Sequence, residues 1–170
     1  MKRALPTIAA VLVAVALQAG IAPALSIGGV VPNFLLLVTV TLALVEGPNL
    51  GAVAGFSAGL LFDLLGTGPV APMALVLAVV GFASGMLQAN MFAEGWLQPL
   101  SVLAMASVAT GLMYALALAV LGVAGPFWTT FLTVVLPEAL YNVALGLLIY
   151  PVLARFLRRN RPMNTFRRLA

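Results

Sequence analysis

The distribution of basic residues constrains this chain more than any other feature. The eight Lys and Arg residues lie near the two ends, and none occurs between Arg3 and Arg155. A basic side chain at the centre of a lipid bilayer costs about 2.5–3.5 kcal/mol on insertion scales, so a chain that lies in lipid avoids one there. The sequence therefore predicts one integral membrane domain. Its interior carries only the four acidic residues Glu46, Asp63, Glu94 and Glu138.

Composition excludes several other classes of protein. Of the 170 residues, 64% are apolar and 7% are charged, whereas soluble domains run at about 45–50% apolar and about 25% charged. Cys and His are both absent, which removes disulfides, thiolate metal sites and the commonest general base. The sequence also lacks a phosphate-binding glycine motif and an HExxH motif. We therefore expect no enzyme, no cofactor and no metal site.

The terminal charges predict the topology. Because cytoplasmic segments carry an excess of Lys and Arg, both termini are expected in the cytoplasm, which requires an even number of spans. We interpret the basic residues as topology signals and as anchors for anionic lipid headgroups, not as a nucleic-acid groove. Contact of the tail with a cytoplasmic protein is the alternative. The residues concerned are Lys2, Arg3, Arg155, Arg158, Arg159, Arg161, Arg167 and Arg168.

Gly- and Pro-rich turns divide the chain into six predicted helical spans in a single membrane domain. The first segment, after Lys2 and Arg3, could also be a cleaved signal peptide, but its apolar run continues to Leu25, which favours a retained span. Trp96 and Trp128 are suited to the two membrane interfaces. Asn33 and Asn49 are expected as helix N-caps. The predicted spans are 5–25, 33–46, 50–65, 72–91, 99–121 and 129–154, followed by a basic tail at 155–170.

Glycines spaced by four give the clearest pattern within the spans. Gly51, Gly55 and Gly59 lie on one face of the third helix, and Gly81 and Gly85 repeat the spacing in the fourth. Small residues at this spacing let two helix backbones approach closely in lipid. Two interpretations remain open. The glycine face either packs the helices of this chain together or docks a transmembrane helix of another protein.

Buried polar residues form a second group of candidates. Asp63 continues the glycine face, and three roles are open for it: its carboxylate is held by backbone amides, fixes a contact with another subunit or takes part in proton movement. Glu138 and Asn142 share a face of the sixth helix beside Pro137, which removes one helix hydrogen bond. No basic residue in the membrane interior can pair with Glu138, so we expect it to be neutral or bonded to hydroxyls and amides. Glu138 either takes part directly in the function or only holds two helices together by hydrogen bonds.

Three segments, taken together, resemble a known family. They are the Pro32–Leu37 run, the Gly51–Leu65 glycine helix ending in Phe62-Asp63-Leu64-Leu65, and Leu136-Pro137-Glu138-Ala139-Leu140-Tyr141-Asn142 before an Arg-rich tail. In order and spacing they are similar to the rod shape-determining protein MreD family. The turn after Gly66 departs from the family, since Pro69-Val-Ala-Pro72 stands where a Pro-Leu-Gly turn is common.

The resemblance implies a non-enzymatic scaffold in the cytoplasmic membrane of a bacterium. It implies binding to MreC and membership of the elongation complex with MreB, RodA and a penicillin-binding protein, which governs cell shape and lateral peptidoglycan synthesis. A second copy of the chain is a further candidate partner. The implied fold resembles the six-helix substrate-binding subunits of energy-coupling-factor transporters. The alternative function is therefore a transporter subunit with an outward pocket for a small molecule.

Overall fold

The computed structural model describes residues 4–66, 69–90, 97–123 and 125–159, and this part of the chain is all-helical. It contains no β-strand there, only an isolated bridge between Ile27 and Val30. A short 3₁₀ turn, Ala22–Leu25, follows the first helix, and a π-helical segment, Phe131–Val135, joins the last two. The α-helices are α1 Ala4–Gly20, α2 Phe34–Glu46, α3 Pro48–Leu65, α4 Pro72–Asn90, α5 Leu97–Val120, α6 Phe127–Thr130 and α7 Leu136–Arg159.

The second helix forms the centre of the bundle. Every residue of α2 from Phe34 to Val45 is buried, and α1, α3, α4, α5 and α7 all pack against it. A helix that is apolar all round is stable only when it is enclosed on every side. By contrast, α1 buries one stripe that includes Ala14 and exposes large apolar side chains such as Leu12. The peripheral helices therefore surround α2 and turn their outer faces outward.

Contacts between helices fix their directions. Gln18, near the end of α1, bonds the chain at Phe34, where α2 begins, so these two helices run antiparallel. Asn33 contacts Asn142, and Leu37 lies beside Gly146, so α2 and α7 run parallel. The start of α1 and the end of α7 consequently lie at one end of the bundle. The connections that follow α1, α3 and α5 lie at the other, which we name the distal end.

Four helical stretches are long and apolar enough to cross a membrane, which agrees with a membrane protein. They are Pro48–Leu65, Pro72–Ala89, Leu97–Val120 and the continuous stretch Phe127–Arg158. Two further apolar helices, Leu5–Gly20 and Phe34–Glu46, are shorter. At 1.5 Å per residue the 13 residues of α2 extend about 20 Å, less than the roughly 30 Å of a hydrocarbon core.

Several predicted helix ends differ from the structure. The helix expected to continue to Leu25 ends at Gly20. Asn49 is not an N-cap, because the cap is Gly47 and Pro48 already occupies the first turn. Gly47 has a φ of 99°, which a residue with a side chain rarely adopts. The predicted fifth span begins at Pro99, whereas α5 already begins at Leu97, so Pro99 lies in its first turn, where a missing N–H costs little.

The start of the last helix is irregular because of Pro137. A proline within a helix lacks a donor, and its ring collides with the carbonyl four residues earlier, which here belongs to Thr133. The residues before Pro137 form the π-helical turn Phe131–Val135, in which the N–H of Leu136 donates to the carbonyl of Phe131. Such turns are known sites of local helix distortion. The sequence predicts a disturbance here but not its π-helical form.

Candidate functional site

The glycine residues of α3 face α4 across a seam in which the two backbones touch. A Cβ atom placed on Gly59 would lie 2.5 Å from the carbonyl oxygen of Met73, and one on Gly51 would lie 2.7 Å from that of Gly81. At Gly55 a Cβ would collide with the carbonyl of Leu77. Real Cβ atoms do not come this close to backbone, so only glycine fits at these three positions.

The same seam extends to both sides. A Cβ on Gly85 would lie 2.5 Å from Pro48 at the start of α3, and Thr39 of α2 fills the space between Gly55 and Gly81 with its methyl group. The glycine face is therefore covered by α4 and α2 of the same chain. Another protein's helix could reach it only by displacing α4.

Asp63 closes the α3–α4 pair at the distal end. Its Oδ2 accepts hydrogen bonds from the N–H groups of Ala71 and Ala74, both at 3.1 Å. The Ala71 amide lies directly before α4 and the Ala74 amide in its first turn, where a carboxylate satisfies free donors and interacts favourably with the helix dipole. Ala71 has a φ of 96°, so the carboxylate also holds a strained turn.

A cluster of amide and carboxyl groups ties α1, α2 and α7 together at the distal end. We name Gln18, Asn33, Glu138 and Asn142 the Asn33 cluster. The Asn33 N–H donates to Oδ1 of Asn142 at 2.8 Å, and its Nδ2 donates to Oε1 of Glu138 at 3.3 Å. Its Oδ1 accepts from the Leu36 N–H at 3.0 Å, which caps α2. Asn33 thus connects the central helix to α7.

Gln18 is a member of the Asn33 cluster that the sequence reasoning missed. Its Nε2 donates to the carbonyl of Pro32 at 3.1 Å, and its Oε1 accepts from the N–H of Phe34 at 2.7 Å. A single amide in an otherwise apolar helix is the signal that could have identified it, because such a group needs a partner in lipid. Tyr141 adds a further link, since its hydroxyl donates to the carbonyl of Leu25 at 2.8 Å.

Further polar groups lie between α5 and α7 at the level of the Asn33 cluster. Leu103 of α5 touches Gly146 of α7. One turn closer to the distal end lie Ser107 on α5 and Asn142 on α7, which are both buried. Within the part of the chain that is described, four buried polar atoms make no hydrogen bond. They are Thr39 Oγ1, Ser107 Oγ, Thr110 Oγ1 and Asn142 Nδ2.

An apolar cleft of about 390 Å³ opens between the second half of α5 and α6. Its one hydroxyl, on Thr130, already donates to the carbonyl of Pro126 at 3.1 Å. Ligand sites for polar metabolites place several polar groups so that they converge on the ligand, and this lining offers backbone and methyl groups instead. The lining residues are Leu112, Ala115, Leu116, Leu118, Ala119, Val123, Gly125, Phe127 and Thr130.

The anchor residues divide between the two ends. Trp128 is exposed at the distal end and stands edge-on to Phe127, with ring centroids 5.4 Å apart. Arg155 and Arg158 are exposed at the opposite end, on the last turns of α7. The predicted anchors Lys2, Arg3, Trp96 and Arg161 lie outside the described residues, as do Glu94 and the side chain of Arg159. In the described ranges no three Asp, Glu, His or Cys side chains come together as metal ligands.

A comparison with protein families matches most of the chain to a known family. The model of the family described as rod shape-determining protein MreD matches residues 2–160, which is nearly the whole chain, and it confirms the resemblance noted in the sequence. No curated protein and no solved structure matches the chain. With its helical membrane fold, the chain belongs to the MreD family of rod shape-determining proteins.

Proposed function

We propose that this chain is a non-enzymatic scaffold subunit of the bacterial cell-elongation machinery. It binds MreC and thereby helps control cell shape and lateral peptidoglycan synthesis. Membership of the rod shape-determining family carries this proposal. The described interior supports it, because α2 is enclosed by its neighbours and the polar groups there mostly serve helix ends and helix pairs.

The proposed topology has six crossings with both termini in the cytoplasm. The parallel direction of α2 and α7 and the antiparallel direction of α1 and α2 support it, since the chain then starts and ends on one side. The basic ends of the chain would lie on that side and attract anionic lipid headgroups. In this arrangement α2 crosses the membrane although it is shorter than the hydrocarbon core, because its neighbours shield it from lipid. In the proposed fold the six helices are arranged as in the substrate-binding subunits of energy-coupling-factor transporters.

The outer helix faces would be the working surfaces of such a scaffold. Large apolar side chains point outward on every long helix except α2, among them Leu12, Val53, Leu75, Leu116 and Leu148. In lipid these faces can meet single transmembrane helices of partner proteins. MreC is the direct partner in this proposal, and MreB, RodA and a penicillin-binding protein join through the same complex. A second copy of the chain could use the same kind of surface.

The alternative is a transporter subunit that binds a small molecule. The cleft beside α6 is the observation that bears on it, and its apolar lining suits an apolar ligand better than a polar metabolite. Native mass spectrometry of the purified chain separates the two functions. The scaffold predicts the mass of the chain and its partners, whereas a stoichiometric metabolite would favour the transporter.

Complementation with co-purification tests the scaffold directly. In a rod-shaped bacterium that lacks its own MreD-family protein, this chain is expressed together with MreC from its own organism. We expect restored rods and recovery of MreC with the tagged chain after mild solubilisation. Round cells together with absence of MreC from a well-expressed chain would contradict the proposal.

A further inference from the structure

We propose that the apolar cleft between α5 and α6 binds one acyl chain of a phospholipid from the leaflet at the distal end of the bundle. This binding needs the proposed membrane crossing of α5 but not the scaffold function, so the two proposals can fail separately. The ligand is a hydrocarbon chain, and neither a polar metabolite nor a partner helix occupies the cleft.

The cleft begins where α5 separates from the segment before α7. At its inner end the two are in close contact, since a Cβ atom on Gly111 would lie 2.7 Å from Cγ1 of the buried Val135. One residue further along α5 the lining starts at Leu112, and it continues past the helix end to Val123. The cleft is therefore closed toward the middle of the bundle and extends from there to the distal end.

The dimensions of the cleft fit a single hydrocarbon chain. From Leu112 to Ala119 the lining rises about 10 Å, and the turn to Val123 brings its length to roughly 15 Å. This length is about half of the roughly 30 Å hydrocarbon core, which is the depth of one leaflet. A volume of about 390 Å³ over this length leaves a width of about 5–6 Å. A transmembrane helix is about 10–12 Å wide with its side chains, so it does not fit inside.

The lining selects a ligand without hydrogen-bonding groups. Thr130 is the one lining residue with a polar side chain, and its hydroxyl already donates to the carbonyl of Pro126. Leu116, Val123 and Phe127 on the lining are exposed at 65%, 64% and 56%, so the cleft is open to the surrounding lipid tails. Apolar cavities do not hold water and accept apolar guests. An acyl chain that enters the cleft therefore displaces nothing and gains packing contacts.

Aromatic side chains place the mouth of the cleft at the membrane interface. Phe127 lines the cleft and packs against Trp128 and Phe131, with ring centroids 5.4 Å and 6.3 Å away. Exposed Trp side chains such as Trp128 favour the level of the lipid headgroups. Because no Lys or Arg lies between Arg3 and Arg155, the chain offers no cation to a lipid phosphate there. The lipid is consequently held by its tail, with its headgroup beside Trp128.

A photoreactive phospholipid tests the site in the full chain. The chain is reconstituted in vesicles of phosphatidylcholine that carries a diazirine on one acyl chain, because an anionic lipid would also bind the Arg-rich tail. Adducts are then mapped by mass spectrometry. The exposed residues Leu75 and Val79 of α4 are the matched controls for Leu116 and Val123. We expect about fivefold more adducts on the cleft residues, a preference of about 1 kcal/mol, and equal labelling would overturn the proposal.

A second arm fills the cleft with a larger side chain. Ala119 is an exposed lining residue, so Ala119→Phe occupies the cleft without entering the core. The neighbouring Val120 is 81% exposed and lies outside the lining, which makes Val120→Phe the control. Labelling of Leu116 should fall to the level of Leu75 in the Ala119 variant only. Unchanged labelling in that variant would overturn the proposal, and the first arm decides alone if the variant does not fold.

Other occupants are separated by a photoreactive residue at Leu118, a partly buried residue of the lining. In membranes of cells that express this variant together with MreC, we expect a phospholipid adduct. An adduct with MreC, with a second copy of the chain, with an isoprenoid lipid or with a polar metabolite would overturn the proposal. A chain that recovers MreC but shows no lipid adduct overturns the lipid site only. A lipid adduct on a chain that never recovers MreC supports the lipid site and contradicts the scaffold function.

Discussion

The N–H of Asn33 donates a hydrogen bond to Oδ1 of Asn142, a residue 109 positions further along the chain. This bond joins the start of the central helix to the last helix, and Asn142 is completely buried. Because the Oδ1 of Asn33 also caps α2, this one residue both satisfies a backbone N–H at the start of α2 and connects α2 to α7. The bundle therefore depends on a buried contact between the backbone of Asn33 and the side chain of Asn142.

Replacing Asn142 by Leu should destabilise the bundle. The Leu side chain fills a similar volume but leaves the buried N–H of Asn33 without its acceptor, which costs about 1–3 kcal/mol. Thermal unfolding in detergent measures the loss. Ser101→Ala is the control, since the Ser101 hydroxyl bonds only the carbonyl of Gln98 in its own helix. Equal stability of the Asn142→Leu variant and the wild type would contradict the role given to this bond.

Replacing Gly55 should separate α3 from α4. An Ala there would press its Cβ into the Leu77 carbonyl, and overpacking of this kind costs about 1–3 kcal/mol. Leu should prevent assembly of the bundle altogether. Gly20→Ala is the control, because a Cβ there meets no atom within 4 Å. Size-exclusion profiles and co-purification with MreC report the outcome, and a wild-type result for Gly55→Leu would refute the tight seam.

Replacing Asp63 by Ala should loosen the start of α4. The N–H groups of Ala71 and Ala74 would lose their acceptor, and loss of such a cap costs about 0.5–2 kcal/mol. Asp63→Asn keeps an oxygen acceptor and should lose less. Protease sensitivity of the connection between α3 and α4 is the measurement. If both variants were cleaved at the same rate as the wild type, Asp63 would not be needed to hold this turn.

Replacing Glu138 by Gln should be tolerated, whereas Lys should not. A Gln oxygen can still accept the bond from Nδ2 of Asn33. A Lys ammonium has no acceptor capacity and would bring a positive charge to the same partly buried place, beside the Nδ2 donor of Asn33. Restoration of rod shape in a strain that lacks its own MreD-family protein gives the measurement. Loss of shape with the Gln variant at normal expression would indicate that the negative charge itself is needed.

Local patterns in the sequence predict much of the fold. Helix ends marked by Gly and Pro fall close to the observed ends, and the cap at Asn33 follows from an Asn placed directly before an apolar run. The spacing of Gly51, Gly55 and Gly59 identifies a face for close contact. These features depend on neighbours a few residues apart, which a single sequence contains.

Long-range partners could not be predicted in the same way. Nothing local to Asp63 distinguishes the amides of α4 from a subunit contact, and the sequence left both open. Gln18 has no motif around it, so its bonds to Pro32 and Phe34 become visible only when α1 lies against the start of α2. Pro137 announces a disturbance, yet the choice of a π-helical turn depends on how the preceding residues pack.

The enclosure of α2 has a consequence for biogenesis. This helix is synthesised directly after α1, but it is fully enclosed only when α7, the last of the described helices, brings Asn142 to Asn33. Until then the nascent chain holds an unfinished core in the bilayer, because α1, α3, α4 and α5 can cover α2 only in part. A chain cut short before α7 should therefore be recognised as incomplete and removed by membrane proteases, however well its first helices insert.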